Sequence, residues 1–181
     1  IQVKTGKKLW ECKTDGPIRG SARVSEGHVF FGSDDGNLYA VELVSARKVW
    51  SLRAEGAIRT TPFIAGEYIY FGSEANEFIA ADFRGQEKWH FWTKRPVTSS
   101  PVVSDGMVYF ASLDANFYAL DAKTGWVIWK FRMGKGSISS PTILDQSVFI
   151  GSADGFLYCI EKSSARELWR FKTDHQVSGS P

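Results

Sequence analysis

Apolar residues fall along this chain in short runs, each closed by a turn signal rather than continued at helical spacing. In the unit from about Val97 to Met133, the segment Val97–Val103 meets Ser104-Asp105-Gly106 and then Met107-Val108-Tyr109-Phe110. A turn at Asp114-Ala115 leads into Asn116-Phe117-Tyr118-Ala119-Leu120, and Lys123-Thr124-Gly125 leads into Val127-Ile128-Trp129-Lys130-Phe131. Short runs rich in aromatic and β-branched residues predict four antiparallel strands and no helix. On the last of them Trp129 and Phe131 alternate with Lys130 and Arg132, which predicts one buried and one wet face. Asp35-Gly36 and Asp154-Gly155 mark equivalent tight turns elsewhere.

The unit repeats. Trp10, Trp50, Trp89, Trp129 and Trp169 recur at intervals of 40, 39, 40 and 40 residues. Gly32-Ser33, Gly72-Ser73, Ala111-Ser112 and Gly151-Ser152 keep the same register, and Ala22, Pro62, Pro101, Pro141 and Pro181 each follow their tryptophan by 12 residues. A lone four-stranded sheet cannot bury both faces, whereas sheets stacked radially at this period bury one another. A sandwich gives no reason for one tryptophan to return at the same point of every fourth strand. The predicted fold is therefore all-β, a β-propeller of four-stranded antiparallel blades. Repeat boundaries fall near 17–55, 56–94, 95–134 and 135–174, giving four complete blades between partial blades at 1–16 and 175–181. Those ends supply too little to seal a ring. The expectation is a segment of a seven- or eight-bladed propeller, roughly 280 to 320 residues at this period, with missing blades of the same chain closing the ring rather than a second copy.

Residues 119–129, Ala-Leu-Asp-Ala-Lys-Thr-Gly-Trp-Val-Ile-Trp, resemble the tryptophan-docking motif of the PQQ-like, quinoprotein-dehydrogenase-like β-propellers. Thr5-Gly6 with Trp10 keeps the second half of the motif. Ala40, Glu42, Ala46 and Trp50 replace Asp by Glu and Gly by Ala, as do Glu161 and Ala165 before Trp169, and Ala80, Asp82, Gly85 and Trp89 form a copy one residue shorter. The resemblance implies a girdle in which Trp10, Trp50, Trp89, Trp129 and Trp169 pack against neighbouring blades. It also implies an extracytoplasmic location. One such propeller hosts dehydrogenases, assembly scaffolds and sensors, so the resemblance implies architecture more than activity.

Composition narrows the function. The chain is 43% apolar and 23% charged, enough for a folded domain, and no apolar run approaches the roughly 20 residues of a membrane-spanning helix. A net charge of +2 does not point to nucleic acid. Cys12 and Cys159 are too few for a disulfide framework or a four-cysteine zinc site. Quinoprotein dehydrogenases hold PQQ beside adjacent cysteines and a calcium ion, and neither adjacent cysteines nor a calcium cage is legible here. PQQ with calcium belongs only to the alternative of a dehydrogenase fragment, and no cofactor or metal is expected otherwise.

Stacking the repeats isolates candidate contacts. Three residues before the proline column stand Arg19, Arg59, Thr98, Ile138 and Ser178, on the strand expected to border the central channel. Arg19 and Arg59, with Thr98, are candidates for binding a small anionic ligand, since guanidinium groups take carboxylate or phosphate bidentately. Pairing with acids such as Glu55 or Asp35 is the competing reading. Lys13, Arg53, Trp92, Arg132 and Lys172 form a cationic outer rim, a common device against sheet-edge association. His28, His90 and His175 sit at different repeat positions and read as surface residues. Gly134-Lys135-Gly136-Ser137 lacks the spacing and following helix of a phosphate loop. The pairs Thr60-Thr61, Ser99-Ser100 and Ser139-Ser140 read as small residues that let inner strands converge. Recurrent motifs without a catalytic constellation predict a non-catalytic module for a protein partner or anionic ligand, such as the sensor domain of a bacterial Ser/Thr kinase. A dehydrogenase fragment and a scaffold resembling the outer-membrane barrel-assembly lipoprotein are the alternatives.

Overall fold

The computed structural model describes residues 1–181 and contains sixteen strands and no helix. Blade 1 comprises β1 (Arg23–Ser25), β2 (His28–Gly32), β3 (Asn37–Glu42) and β4 (Lys48–Arg53). Blade 2 comprises β5 (Phe63–Ala65), β6 (Tyr68–Gly72), β7 (Glu77–Asp82) and β8 (Glu87–Trp92). Blade 3 holds β9 (Val102–Ser104), β10 (Met107–Ala111), β11 (Asn116–Asp121) and β12 (Val127–Arg132), and blade 4 holds β13 (Thr142–Leu144), β14 (Ser147–Gly151), β15 (Phe156–Glu161) and β16 (Glu167–Lys172). Each blade is an antiparallel meander in sequence order. The four blades form an arc of a propeller whose ring is not closed.

The middle strands explain the continuous apolar runs. Successive side chains point to opposite faces of a sheet, and in β10 Val108 and Phe110 pack with blade 2 while Tyr109 and Ala111 pack with blade 4. The core is thus a series of layers between blades rather than one interior. Phe78 and Phe110 stack across one such layer with centroids 3.8 Å apart. Burying a ring of this kind contributes about 1.5–3 kcal/mol.

The fourth strands are attached to the next blade by their indoles. The Nε1–H of Trp10, Trp50, Trp89 and Trp129 donates to the carbonyl of Leu43, Phe83, Ala122 and Lys162, at 2.9, 2.8, 3.0 and 2.9 Å. The acceptor always lies 33 residues ahead. A β-bulge between β3 and β4, repeated in each blade, lies beside a small residue facing the indole: Ala40, Ala80, Ala119 or Cys159. Cys159 is therefore a small buried hydrophobe within that column. At Gly125, φ is +74° and an added Cβ would lie 2.7 Å from the Trp89 ring. Ala46 and Ala165 keep the same left-handed conformation, at φ 59° and 61°, accepting a strain that glycine avoids.

Two expectations change. The innermost strands are shorter than the sequence suggests, since β9 starts at Val102 rather than Val97. Amides of the preceding residues turn to neighbouring blades: the Val97 amide donates to Ser73 O at 3.0 Å and the Ser100 amide to Ser140 Oγ at 2.9 Å. Nor do residues 1–22 and 173–181 form strands.

An indole buried between blades and one exposed to solvent should respond differently to mutation. Trp129→Phe keeps most of the ring volume but leaves the Lys162 carbonyl without its donor, at an expected cost of about 1–3 kcal/mol, read as a lower urea midpoint. Trp126, exposed on blade 3 at 78%, should lose less than about 0.5 kcal/mol as Phe. Equal losses would show that the indole hydrogen bond contributes nothing.

Candidate functional site

The two faces of the arc are built differently. On one, each crossing between blades bonds to the turn between a second and third strand, as in Leu113 N–H to Pro96 O at 3.0 Å and Ala153 N–H to Gly136 O at 3.1 Å. On the other, hairpins of the same blade meet, as in Ala122 N–H to Gly106 O at 2.8 Å. The crossing face carries the two buried carboxylates, Glu77 and Asp114.

A recurrent aspartate organises that face. Asp35 accepts from the Tyr39 hydroxyl at 2.8 Å and the Asp15 amide at 3.0 Å. Asp114 takes Tyr118 at 2.7 Å and the Lys94 amide at 3.1 Å, and Asp154 takes Tyr158 and the Gly134 amide, both at 2.7 Å. Each carboxylate ties a third strand to the crossing from the preceding blade. Burial pushes the Tyr39 hydroxyl up to about 12, assisted by Asp35. For Asp114, burial is outweighed by hydrogen bonds from Tyr118, Lys94 and Asn116, so its carboxyl stays below the ordinary range. The Asp-to-Tyr spacing of four residues was visible at 35–39, 114–118 and 154–158, but blade 2 hides the column with Ala75 and Ile79. There buried Glu77 does the same work, accepting the Glu55 amide at 3.1 Å and the Ser73 hydroxyl at 2.6 Å.

His90 departs from the surface reading for the same reason. Its ring stacks on Trp92 with centroids 4.5 Å apart, and its nitrogens lie 3.7 Å from Glu77 and 3.5 Å from Glu87. His28 contacts the Glu26 carbonyl at 2.8 Å, and His175 is exposed.

The structure brings Arg19 and Arg59 together on one carboxylate. Arg19 Nε lies 2.7 Å from Asp34 Oδ2, Arg59 Nε lies 2.9 Å from Asp34 Oδ1, and Arg59 Nη1 lies 3.2 Å from Glu74. Neither Asp35 nor Glu55 is their partner. Asp34 thus occupies part of both guanidinium groups, and Arg19, more than half exposed, pairs through Nε alone. Thr98 joins neither arginine, and its buried Oγ1 has no hydrogen-bond partner. The hydroxyl pairs do more than save space. Ser21, Thr61, Ser100 and Ser140 donate their amides to the hydroxyls of Thr61, Ser100, Ser140 and Ser180, at 3.0, 2.8, 2.9 and 3.0 Å. This relay runs from blade to blade along the innermost segments. The outer-rim cations Lys13, Arg53, Arg132 and Lys172 are exposed, and Arg132 turns back to the Asp114 carbonyl at 2.6 Å.

Two outcomes follow from these bonds. Arg59, and then Arg19, hold the Asp34 carboxyl below its usual range, so the stability these pairs contribute is complete above about pH 4 and lost as pH falls through the lower folded value. Arg59→Gln should move the Asp34 titration upward by NMR, and an unmoved titration would mean the pair does not form in solution. Asp114→Ala strands the Tyr118 hydroxyl and Lys94 amide and should cost about 1–3 kcal/mol in chemical denaturation. A neutral result would mean water replaces the carboxylate.

Comparison with known proteins adds the following. A family model described as outer membrane protein assembly factor BamB matches residues 1–93 and again 84–181. No curated protein sequence matches the chain. BamB from Moraxella catarrhalis superimposes with a TM-score of 0.85 at 18% identity, over 94% of this chain and 57% of that one. The computationally designed Ika8 protein superimposes with a TM-score of 0.78 at 17% identity, over 87% of this chain and 50% of that one. At such identities these likenesses establish the fold alone, and the chain spans only about half the length of either structure.

Proposed function

Because the chain belongs, end to end, to the PQQ-repeat family of the outer membrane protein assembly factor BamB, we propose that it is part of an interaction scaffold presenting loops to a protein partner. The propeller fold supports a non-catalytic scaffold. The observation that carries the reading is how the polar groups are used. Asp35, Asp114, Asp154 and Glu77 are each engaged in joining blades, and Asp34 and Glu74 are held by arginine. None of these carboxylates is left poised over a reacting atom.

The PQQ and calcium of the dehydrogenase alternative do not fit these residues. Cys159 is buried opposite Trp169, Cys12 lies in the N-terminal segment packed on blade 1, and no three His, Cys, Asp or Glu side chains converge as metal ligands. No step is derived through that cofactor. The family name supports an extracytoplasmic setting, and no helix is long and apolar enough to cross a membrane. Attachment to a kinase as its sensor shares the same scaffold chemistry, and no residue of this chain speaks for it separately.

The test is direct. The chain supplied with PQQ, calcium, candidate alcohols or sugars and an electron-accepting dye should reduce no dye. Substrate-dependent reduction would sink the scaffold reading.

A further inference from the structure

We infer that the depression between blades 3 and 4 on the crossing face docks a carboxylate-rich segment of a partner polypeptide. The inference rests on the scaffold reading and names the chemistry of its partner. Lys94 and Arg95 come from the crossing into blade 3, Arg132 from the end of β12 and Lys135 from the crossing into blade 4. Together they wall a hollow of about 800 Å³ with Pro96 and Leu113 at its apolar part. All four cations are exposed, and none takes part in an ion pair within the chain. The acid lining the hollow, Asp114, is saturated by Tyr118, Asn116 and the Lys94 amide. Asp154 beside it is held by Tyr158 and the Gly134 amide. Both carboxylates remain charged, and four cations against two acids leave the hollow net positive.

The repeats provide an internal control. Five and six residues after the tryptophan stand Asp15-Gly16, Glu55-Gly56, Lys94-Arg95 and Gly134-Lys135. The same backbone tolerates acid and glycine at these places, so the fold does not require Lys94, Arg95 or Lys135, whereas Arg132 belongs to the outer-rim column that is cationic in four of five repeats. These cations also concentrate on one arc of a chain whose net charge is only +2. Between blades 1 and 2 the corresponding crossings carry Asp15 and Glu55 where these carry Lys94 and Gly134, with Arg53 in the place of Arg132.

The arrangement favours a polypeptide over a phosphate group. Phosphate is held by donors converging on one point, whereas these cations stand on two successive crossings on either side of Pro96 and Leu113. An apolar centre with a charged rim is the anatomy of a protein interface, where rim charges set register and association rate.

Fluorescence anisotropy of a labelled hexaglutamate peptide with the full chain tests this. Binding should weaken with salt as the charges are screened. Exposed ion pairs are individually weak, so replacing Lys94, Arg95 and Lys135 by Gln should weaken binding about tenfold with an unchanged circular dichroism spectrum and melting point. The matched variant Lys4→Gln/Lys7→Gln/Arg23→Gln, which removes the same charge elsewhere, should bind as the parent does. Equal losses in both variants, absence of binding, or displacement by pyrophosphate as effective as by unlabelled peptide would overturn the inference. If the peptide fails while the dye assay stays blank, only this inference falls. Dye reduction removes the scaffold reading whatever the peptide does.

Discussion

The indole N–H of each docked tryptophan reaches a carbonyl in the next blade, 33 residues ahead, and the stacking of the blades depends on that contact. The donor sits on an outer strand and the acceptor in the following blade's β3–β4 type turn, so one bond sets both the spacing and the rotation between blades. Everything beside it follows suit. A small residue must face the indole, a bulge must accommodate it, and the turn carrying the acceptor must admit a left-handed residue. Blade 2 tolerates a turn one residue shorter because its Phe83 carbonyl still meets Trp50.

Nearer the axis the blades are joined by a different chemistry. Apolar layers fill the middle of each inter-blade space, while hydroxyl-to-amide bonds join the innermost segments and buried carboxylates join the crossings to the third strands. An unsatisfied buried amide costs free energy, so these polar groups are spent on assembly. That leaves exposed loop side chains as the variable part of the scaffold. At the crossings themselves acids stand at Asp15 and Glu55 and cations at Lys94, Arg95 and Lys135, although the chain as a whole is nearly neutral.

The candidate arginines illustrate how far a single column can be read. Repeat alignment puts Arg19 and Arg59 at equivalent positions and anticipates that they are neighbours. It misidentifies their acids, because Asp34 and Glu74 belong to turns whose direction depends on how adjacent blades are rotated. His90 is a similar case. Its spacing from Trp92 was plain, yet its place beside Glu77 depends on β7 and β8 pairing in one register. The hydroxyl relay was hidden because Ser and Thr are also what close packing near an axis selects.

The period, the four-stranded antiparallel blade and the tryptophan column were determined by the sequence alone, because each repeat encodes its own local turns and alternation and forty-residue self-similarity needs no tertiary knowledge. Which groups meet between blades was decided only by the tertiary structure. Inner segments lost their predicted strand length to hydrogen bonds with neighbouring blades, aspartates became inter-blade ties, and cations from two crossings came to surround one hollow. Those contacts join residues a whole repeat apart, and the rotation between stacked sheets that brings them together is a property of packing, not of any local run of residues.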